Sequence, residues 1–373
     1  KHYEAKAPDC LPGWDEYEAC QREGCDFTTK VVLPANGKHS YVCDVCTTCN
    51  ECNPVKYTRE GKYIYFGHWP QTLERDETVI AKLNEMAGKP PLPRDKENPY
   101  NWESHEGTTY MWQKIVIYNG TKYLGVQMND YRASGVYSLS SYIMKNGYFT
   151  SEVYWFKYEP IKWRILTTSG NSAYIMSDIA LDSFSIHPNR KGEIRDGLYA
   201  DYNNSPGVPD GTYANNWEYC FLRRWLNETF YNEVFNNLQK EIIKTTHLDN
   251  TARSSNPNDY PKYYGYAENA GKNKFADQCK DTDDKIFLLS LRDVTTTAYG
   301  FKKDVLAEDP ARNLQATDFA KLHGAPMNTN DKKYVTWYTR SPSPANGNQG
   351  YATFVLDRHA KGAIDSVDLT PDG

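Results

Sequence analysis

The spacing of apolar residues changes at about residue 57. Beyond it, apolar runs long enough for buried strands alternate with stretches in which apolar residues recur three or four positions apart, the spacing of an amphipathic helix. Predicted strands cover residues 62–69, 114–118, 122–126, 153–166, 173–176, 285–291, 335–339, 351–356 and 363–369. Predicted helices lie between Asp76 and Gly88, within 221–243 as one broken or two short helices, and over 317–322.

Side chains at the ends of these segments support the assignment. Asp76 and Thr317 each precede an apolar helical pattern, where their side-chain oxygens can accept hydrogen bonds from the first free N–H groups of a helix. Asn119-Gly120 separates two apolar runs and is a strong hairpin signal, because the primed turns need positive φ. The polar residues 247–284 predict a long loop.

Cysteine divides the chain into two parts. Of the nine cysteines, seven lie between residues 10 and 52. A segment too small to bury an apolar core needs staples, either disulfides or a metal. We therefore predict a Cys-rich module over residues 1–55 and one larger domain over 56–373, which is long enough for a sizeable core.

Cysteine spacing in the module favours a zinc-ribbon-like metal site. Cys20 and Cys25, followed by Cys43 and Cys46, resemble the two halves of a ribbon. Each short spacing lets two thiolates reach one tetrahedral ion. The prediction is structural zinc bound by these four cysteines.

Two other states of the cysteines stay open. Disulfides are the main alternative in an oxidising exterior. An iron–sulfur centre is the third, because Cys43, Cys46, Cys49 and Cys52 nearly reproduce a ferredoxin run, although the last spacing is two residues rather than three.

Composition excludes some partners and suggests others. A net charge of -5 with both signs interspersed provides no basic stripe for phosphate, so nucleic acid is not expected. No apolar run reaches the length of about 18 residues that crosses a bilayer, so membrane insertion is not expected either. The 30 tyrosines suit contact with sugars or proteins, although strands also favour aromatic residues.

Motifs for catalysis are missing from the sequence. It has no Gly-x-Ser-x-Gly elbow, no His-Glu-x-x-His helix and no phosphate-binding glycine loop. A Ser-His-Asp site can assemble from distant residues and leaves no local motif. Acidic residues at 277–284 are typical of a solvated loop, with calcium binding as the alternative. The sequence gives no positive sign of an enzyme.

Several aromatic segments occur in an order that resembles a known family. They are Phe66-Gly-His-Trp-Pro-Gln71, 154–166, 217–230, 284–290, 317–321 and Trp337-Tyr-Thr-Arg-Ser-Pro342. Together they are similar to an uncharacterised family of secreted bacterial domains over residues 62–373. That family is grouped with the C-type-lectin-like and formylglycine-generating-enzyme-like (sulfatase-modifying-factor-like) folds. The resemblance implies an α+β, C-type-lectin-like fold and an extracellular, cell-surface location.

The resemblance has further implications at both ends of the chain. Family members end in a Gly-Val-Arg-Pro-Ala-Leu strand, whereas this sequence ends at Asp372-Gly373, so the closing strand is expected to be missing or supplied by another subunit. The opening Lys1-His-Tyr-Glu4 lacks a signal peptide and predicts a mature or trimmed chain. Around Cys10, Gly13-Trp14 and the 34–39 turn, the module resembles Cys-rich units of secreted Gram-positive proteins.

Function follows from the resemblance rather than from a motif. Formylglycine-generating chemistry needs a cysteine pair in the C-terminal core, and no cysteine follows Cys279. Glu159-Pro160 is not followed by the Asn of calcium-dependent lectins. In lectin-like folds, a loop near the C-terminal core binds ligands. The resemblance implies that the corresponding loop here follows the segment that starts at Trp337. The candidate contact residues are Trp337, Tyr338, Arg340, Asn346, Asn348, Gln349 and Tyr351.

We therefore predict a non-catalytic extracellular recognition or adhesion domain that binds a glycan or a protein. Arg340 has two predicted roles: it pairs with a buried carboxylate and holds the loop, or it meets an anionic ligand. The alternative function is a self-assembling subunit of a surface layer, sheath or filament, with copies of the chain as neighbours. An unrecognised enzyme is the third possibility.

Overall fold

The computed structural model describes residues 1–88, 110–128, 143–149, 152–183, 216–251, 279–305, 307–327 and 333–342, and the backbone of 352–356 and 364–368. Over these residues the protein is mixed α+β, with mostly antiparallel strands and short helices. The predicted α+β class is confirmed. No helix in these ranges is long and apolar enough to cross a membrane.

The N-terminal segment consists of three small strand pairs. β1 pairs with β3, β2 with β4, and β5 with β6. The strands are β1 (His2–Tyr3), β2 (Gly13–Trp14), β3 (Tyr17–Glu18), β4 (Val32–Leu33), β5 (Tyr41–Val42) and β6 (Val45–Cys46). Within residues 1–55 only Gly13, Val42 and Cys46 are buried. So little apolar burial cannot offset the entropy of ordering the segment, which is why it needs covalent or metal staples.

A six-stranded antiparallel sheet forms the centre of the body. Its order is β7-β8-β11-β10-β9, and β12 also pairs with β11. The strands are β7 (Thr58–Glu60), β8 (Tyr63–Leu73), β9 (Tyr110–Tyr118), β10 (Thr121–Met128), β11 (Val153–Ser169) and β12 (Ser172–Ser177). Asn119 and Gly120 both have positive φ between β9 and β10, which confirms the predicted hairpin.

Glycine is required at two positions of this sheet. Gly125 lies opposite Trp155, and a Cβ at Gly125 would come within 2.6 Å of the indole ring. Gly67 has φ +69°, and a Cβ there would approach Phe235 and Val234 to 2.6–2.7 Å. Residues 66 and 67 together oppose the single residue Ile161 of β11, which is a β-bulge.

One face of the sheet is covered by helix α1 (Glu77–Ala87). Asp76 caps this helix and Gly88 ends it, as the sequence predicted. Leu83 is fully buried against the sheet, and Trp155 donates a 2.8 Å hydrogen bond from Nε1 to Asn84 Oδ1. The helix is thereby fixed by both apolar packing and a polar contact.

Short helices cover the opposite face. They are α2 (Phe221–Trp225), a π-helical turn (Leu226–Phe230), α3 (Tyr231–Val234), α4 (Asn237–Lys240) and α5 (Asp318–Leu322). The broken helix predicted over 221–243 is confirmed in this form. α5 begins after the cap Thr317 and is followed by Gly324 at φ +80°, also as predicted.

The remaining strands form two smaller sheets. β13 (Thr246–Leu248) pairs with β14 (Thr282–Asp284), and β15, β16 and β17 form a three-stranded sheet. The latter are β15 (Trp337–Pro342), β16 (Ala352–Leu356) and β17 (Ile364–Asp368). Three short strands were predicted here and are found within two residues of the predicted starts.

The predicted strand at 285–291 is wrong. Its apolar residues are buried as expected, with Leu289 and Leu291 in the core, but its backbone is irregular. Side chains bind the backbone groups that a strand would pair: Asn227 Oδ1 accepts from Lys285 N, and Ser341 Oγ accepts from Leu291 N. A sequence window contains no sign of such distant partners.

Replacing Gly67 with alanine tests the close packing at the bulge. We expect Gly67→Ala to lower the free energy of unfolding by about 2–5 kcal/mol, because it adds both a left-handed alanine and an overpacked contact. Urea unfolding measures the change. Gly120→Ala is the matched control, since Gly120 has φ +74° with open space around it; its cost should be only about 1–2 kcal/mol. Equal losses in the two variants would contradict the packing argument.

Candidate metal centre

Four potential metal ligands converge in the N-terminal module. The donor atoms of Cys10, His39, Cys46 and Cys49 all lie within 4.8 Å of one another. Cys46 is fully buried, and the other three are half-buried. This is the one such group among the described ranges. The cluster can bind a metal ion.

A tight loop after β6 places Cys46 and Cys49 together. The backbone N–H groups of Cys49 and Thr48 point at the Cys46 sulfur, and Asn50 completes the loop with φ +63°. Asn50 N also donates to Cys46 O at 3.0 Å. Backbone donors aimed at a sulfur stabilise its thiolate, which is the form that binds metal.

The other two ligands come from distant parts of the module. Cys10 precedes β2, and its sulfur lies 3.6 Å from that of Cys46. His39 follows the turn at 34–38, and its Nδ1 lies 3.4 Å from the Cys49 sulfur. A tetrahedral zinc ion with its usual bond lengths would hold two sulfurs about 3.8 Å apart, and a sulfur and a nitrogen about 3.6 Å apart. The observed spacings are close to those values.

His39 is oriented by two neighbours. Its other ring nitrogen, Nε2, lies 3.6 Å from a carboxylate oxygen of Glu51. Its ring stacks on Tyr41 with centroids 5.5 Å apart. A carboxylate behind a histidine is a frequent second partner at metal sites, where it fixes the tautomer and raises the basicity of the ligating nitrogen.

The thiols of the cluster have strongly separated pKa values. Backbone hydrogen bonds, first from Cys49 N, lower the pKa of Cys46 to about 5. Burial, together with hydrogen bonds to Cys49 and Cys46, raises the pKa of Cys10 to about 12. Several thiolates cannot share this space without a cation, because each negative charge raises the pKa of its neighbours. A divalent ion at the centre removes that repulsion.

This grouping differs from the predicted quartet. Of Cys20, Cys25, Cys43 and Cys46, only Cys46 is in the cluster. Cys43 occupies the turn between β5 and β6, and burial, together with the negative charge of Asp44, raises its pKa to about 11. Cys20 and Cys25 lie together on a separate turn.

The other three ligands belong to different sequence patterns. Cys49 is part of the ferredoxin-like run, and Cys10 and His39 are part of the resemblance to Cys-rich units. The signals for this site in the sequence are the Cys46-x-x-Cys49 pair and the histidine that ends the Pro34-Ala-Asn-Gly-Lys-His39 segment.

The hairpin beside the cluster also docks the module on the body. Asp44 has φ +61° at the turn between β5 and β6. Its Oδ2 accepts from Gln239 Nε2 at 2.9 Å and lies 3.5 Å from His68 Nδ1, while its carbonyl accepts from Asn236 Nδ2 at 3.3 Å. Within the module, Asn53 Nδ2 donates to its Oδ1 at 3.2 Å. Asp44 therefore contacts the module and the body at the same time.

The predicted ligand surface begins inside the core. Trp337 is half-buried and donates from Nε1 to Arg312 O at 2.9 Å, and Tyr338 is half-buried beside it in β15. Arg340 is buried, donating to Leu288 O at 2.7 Å and to Asp293 Oδ2 at 3.1 Å. Of the two predicted roles for Arg340, pairing with a buried carboxylate matches this geometry. The remaining candidates, Asn346, Asn348, Gln349 and Tyr351, lie outside the described residues.

Two polar side-chain contacts in the body had no sequence signal. Asp182 Oδ1 meets His323 Nδ1, and the His323 ring packs on Phe319. Asp284, from the acidic stretch, accepts from Trp217 Nε1 at 2.9 Å and from Arg223 Nε at 2.7 Å. Asp284 is therefore committed to protein partners rather than to a calcium ion.

A family model described as a domain of unknown function, DUF6273, matches residues 171–368. That range is more than half of the chain. The chain belongs to the DUF6273 family. No curated protein and no solved structure matches it.

The DUF6273 match starts at the turn between β11 and β12, so the metal cluster and most of the central sheet lie before it. The prediction of an uncharacterised domain family is confirmed. The DUF6273 segment nevertheless packs on the upstream strands, since Phe319 and Phe235 share one apolar cluster with Phe66 and Phe156.

Changing one oxygen of Asp44 tests the docking contact. Asp44→Asn keeps the shape and tolerates the left-handed turn, but its amide cannot accept from both Gln239 and Asn53. Leaving one buried donor without a partner costs about 1–3 kcal/mol, so we expect trypsin to cleave the 56–62 connection roughly tenfold faster. Mass spectrometry of timed digests measures the rate. The exposed Asp15→Asn is the control, and equal rates in the two variants would count against the docking role.

Proposed function

We propose that the protein is a non-catalytic extracellular recognition protein, built from a zinc-ribbon-like module and a C-type-lectin-like body. The zinc of the module is structural and is bound by Cys10, His39, Cys46 and Cys49. The body presents its C-terminal loops to a glycan or a protein.

Zinc fits the ligand set better than the alternatives do. Three sulfurs and one imidazole around one point are a closed tetrahedral set, which is typical of structural zinc. Iron–sulfur clusters usually take four thiolates. A disulfide would use only two of the three sulfurs and would give the histidine no role. A closed set also leaves no open position for a substrate, so this site is proposed to hold the fold together.

The proposal for the body rests on two buried arginines that donate hydrogen bonds to backbone carbonyls. Arg312 is 1% exposed and donates to the carbonyls of Val294, Lys302 and Asp304, with distances from 2.5 to 3.1 Å. Arg340 binds Leu288 O and Asp293 in the same way. Both charged groups organise irregular backbone next to β15.

A rigid base under surface loops is what a recognition domain requires. Ligand-binding residues commonly lie on loops that a packed scaffold positions. Strand β15, which ends at Pro342, is such a base, since Ser341 accepts a hydrogen bond from Leu291 N and Arg340 donates one to Leu288 O. This supports the proposal that residues 346–351 contact the ligand.

Metal analysis tests the zinc centre. We expect one zinc ion per chain by mass spectrometry of the intact folded protein, and loss of that zinc in Cys49→Ser and in His39→Ala. Cys52→Ser, a neighbouring cysteine outside the cluster, is the matched control and should keep the metal. Chelation should also open the module to proteolysis, because binding of structural zinc contributes folding free energy. A wild-type protein with no metal, or a metal-free Cys52→Ser, would refute the assignment.

Binding measurements test the contact surface. A glycan array and a pulldown from surface extracts should each detect a ligand for the full chain, and Tyr351→Ala should weaken that binding roughly tenfold without changing the melting temperature. The control is Tyr57→Ala, a tyrosine 49% exposed at the edge of the module. Full binding by Tyr351→Ala would argue against this surface.

Self-assembly is the second candidate function, because one observation favours it. Phe27, Val31 and Val32 of the module are 59–61% exposed. These residues are close together in the chain, and exposed apolar patches often mark contacts between proteins. Under this hypothesis, copies of the chain associate through the module, and the oligomer size should fall in Val32→Lys when measured by light scattering. A monomer at high concentration in the wild type would rule it out.

A further inference from the structure

Cys20 and Cys25 form a second feature of the module, separate from the metal cluster. Residues 19–28 fold back on themselves: Ala19 and Thr28 form an antiparallel bridge, and Cys20 N donates to Phe27 O at 2.9 Å. Cys25 N donates to Arg22 O at 3.1 Å, and Gly24 provides the φ of +75° that closes the turn. The backbone thus holds both cysteines in one small loop.

The two side chains are neighbours in this loop. The Cys25 side chain lowers the pKa of the Cys20 thiol, and the backbone bridge between Ala19 and Thr28 closes the loop that carries both residues. Cys20 is half-buried and Cys25 is exposed, so reagents from solvent can reach the pair. A disulfide needs two cysteines that the backbone keeps close together and a path for the oxidant from solvent, and this loop provides both.

A metal ion is a poor explanation for this pair. A structural zinc ion takes four protein ligands. In the ranges that the structure describes, the one group of three or more His, Cys, Asp or Glu side chains whose donor atoms all lie within 4.8 Å of one another is the Cys10 cluster. Cys20 and Cys25 do not belong to such a group, so no third ligand joins them at that distance.

We propose that Cys20 and Cys25 form a disulfide bond, in the same module in which Cys10, His39, Cys46 and Cys49 hold a metal ion. The module then contains both a metal site and a disulfide: Cys10, Cys46 and Cys49 bind the metal, and Cys20 and Cys25 form the disulfide. This inference goes beyond the proposed function and does not depend on it.

A small disulfide such as oxidised glutathione can act as the oxidant that forms the bond between Cys20 and Cys25. The Cys20 thiolate attacks one glutathione sulfur, forms a mixed disulfide and expels one glutathione thiolate. The Cys25 thiolate then attacks the Cys20 sulfur and expels the second. Two cysteine thiols lose two protons and two electrons, and one glutathione disulfide becomes two glutathione thiols.

Other thiols are less suited to this reaction. Cys43 is half-buried, and burial raises its pKa to about 11. Cys220 lies in the core, and burial raises its pKa to about 12. Thiols of that kind have little thiolate at neutral pH and react slowly. The three cysteines of the metal cluster are protected while the metal is bound.

Peptide mapping tests the proposal directly. The full, zinc-loaded chain is incubated with oxidised glutathione, alkylated with iodoacetamide, denatured and digested with trypsin. Trypsin cuts after Arg22, between the two cysteines, and gives peptide 23–30 and peptide 7–22, which also contains Cys10. We expect these peptides to appear as one linked pair that is lighter by two hydrogens than the sum of the peptides, apart from any alkyl group on Cys10, and that separates on reduction. Fragmentation of the linked pair should place the bond on Cys20 and not on Cys10. In Cys25→Ser the link should be lost and Cys20 should become alkylated.

Metal content separates this proposal from the zinc assignment. Cys20→Ser and Cys25→Ser should keep the bound zinc, whereas Cys49→Ser should lose zinc but keep the linked pair. A linked pair in a metal-free wild type would leave the disulfide standing and refute only the zinc. Separately alkylated peptides 7–22 and 23–30, or loss of zinc in Cys20→Ser, would overturn the disulfide.

Discussion

The aromatic cluster around Trp69 joins the central sheet to the DUF6273 segment. The Trp69 ring lies 5.1 Å from Phe230, 6.0 Å from Phe319 and 6.1 Å from Trp225, measured between centroids. Aromatic side chains bury large areas, and their edge-to-face contacts add further stabilisation. The helices of the family segment are too short to be stable alone, so they depend on this surface for their apolar partner. The folded body therefore extends upstream of the region that the family model matches.

The N-terminal module depends on a different kind of constraint. It buries too few residues for hydrophobic stabilisation, and its strands contain two residues each. The converging ligands around Cys46 can bind a metal ion, and Asp44 at the adjacent hairpin contacts Gln239 and His68 of the body. Cys43 and Asp44 both have positive φ, which is costly for residues other than glycine. The docking contacts explain how such a turn is maintained.

Buried charge has a structural role in the described body. Arg312, Arg340 and Arg223 each bind carbonyls or a carboxylate, so their burial is compensated by hydrogen bonds. The result is an irregular backbone region beside β15 that is fixed by many hydrogen bonds. This arrangement is the physical basis for proposing recognition through neighbouring loops.

The sequence by itself determined the features that depend on near neighbours. The caps at Asp76 and Thr317, the Asn119-Gly120 hairpin and the α+β class follow from interactions within a few residues, which a short window contains. Only the tertiary structure decided which cysteines converge, because Cys10 and His39 reach Cys49 through the folding of the whole module. It also decided that 285–291 is not a strand, since the partners of its backbone, Asn227 and Ser341, lie far away in the chain. Distance along the sequence gives no measure of distance in the fold, and ligand sets and backbone partners are selected by the latter.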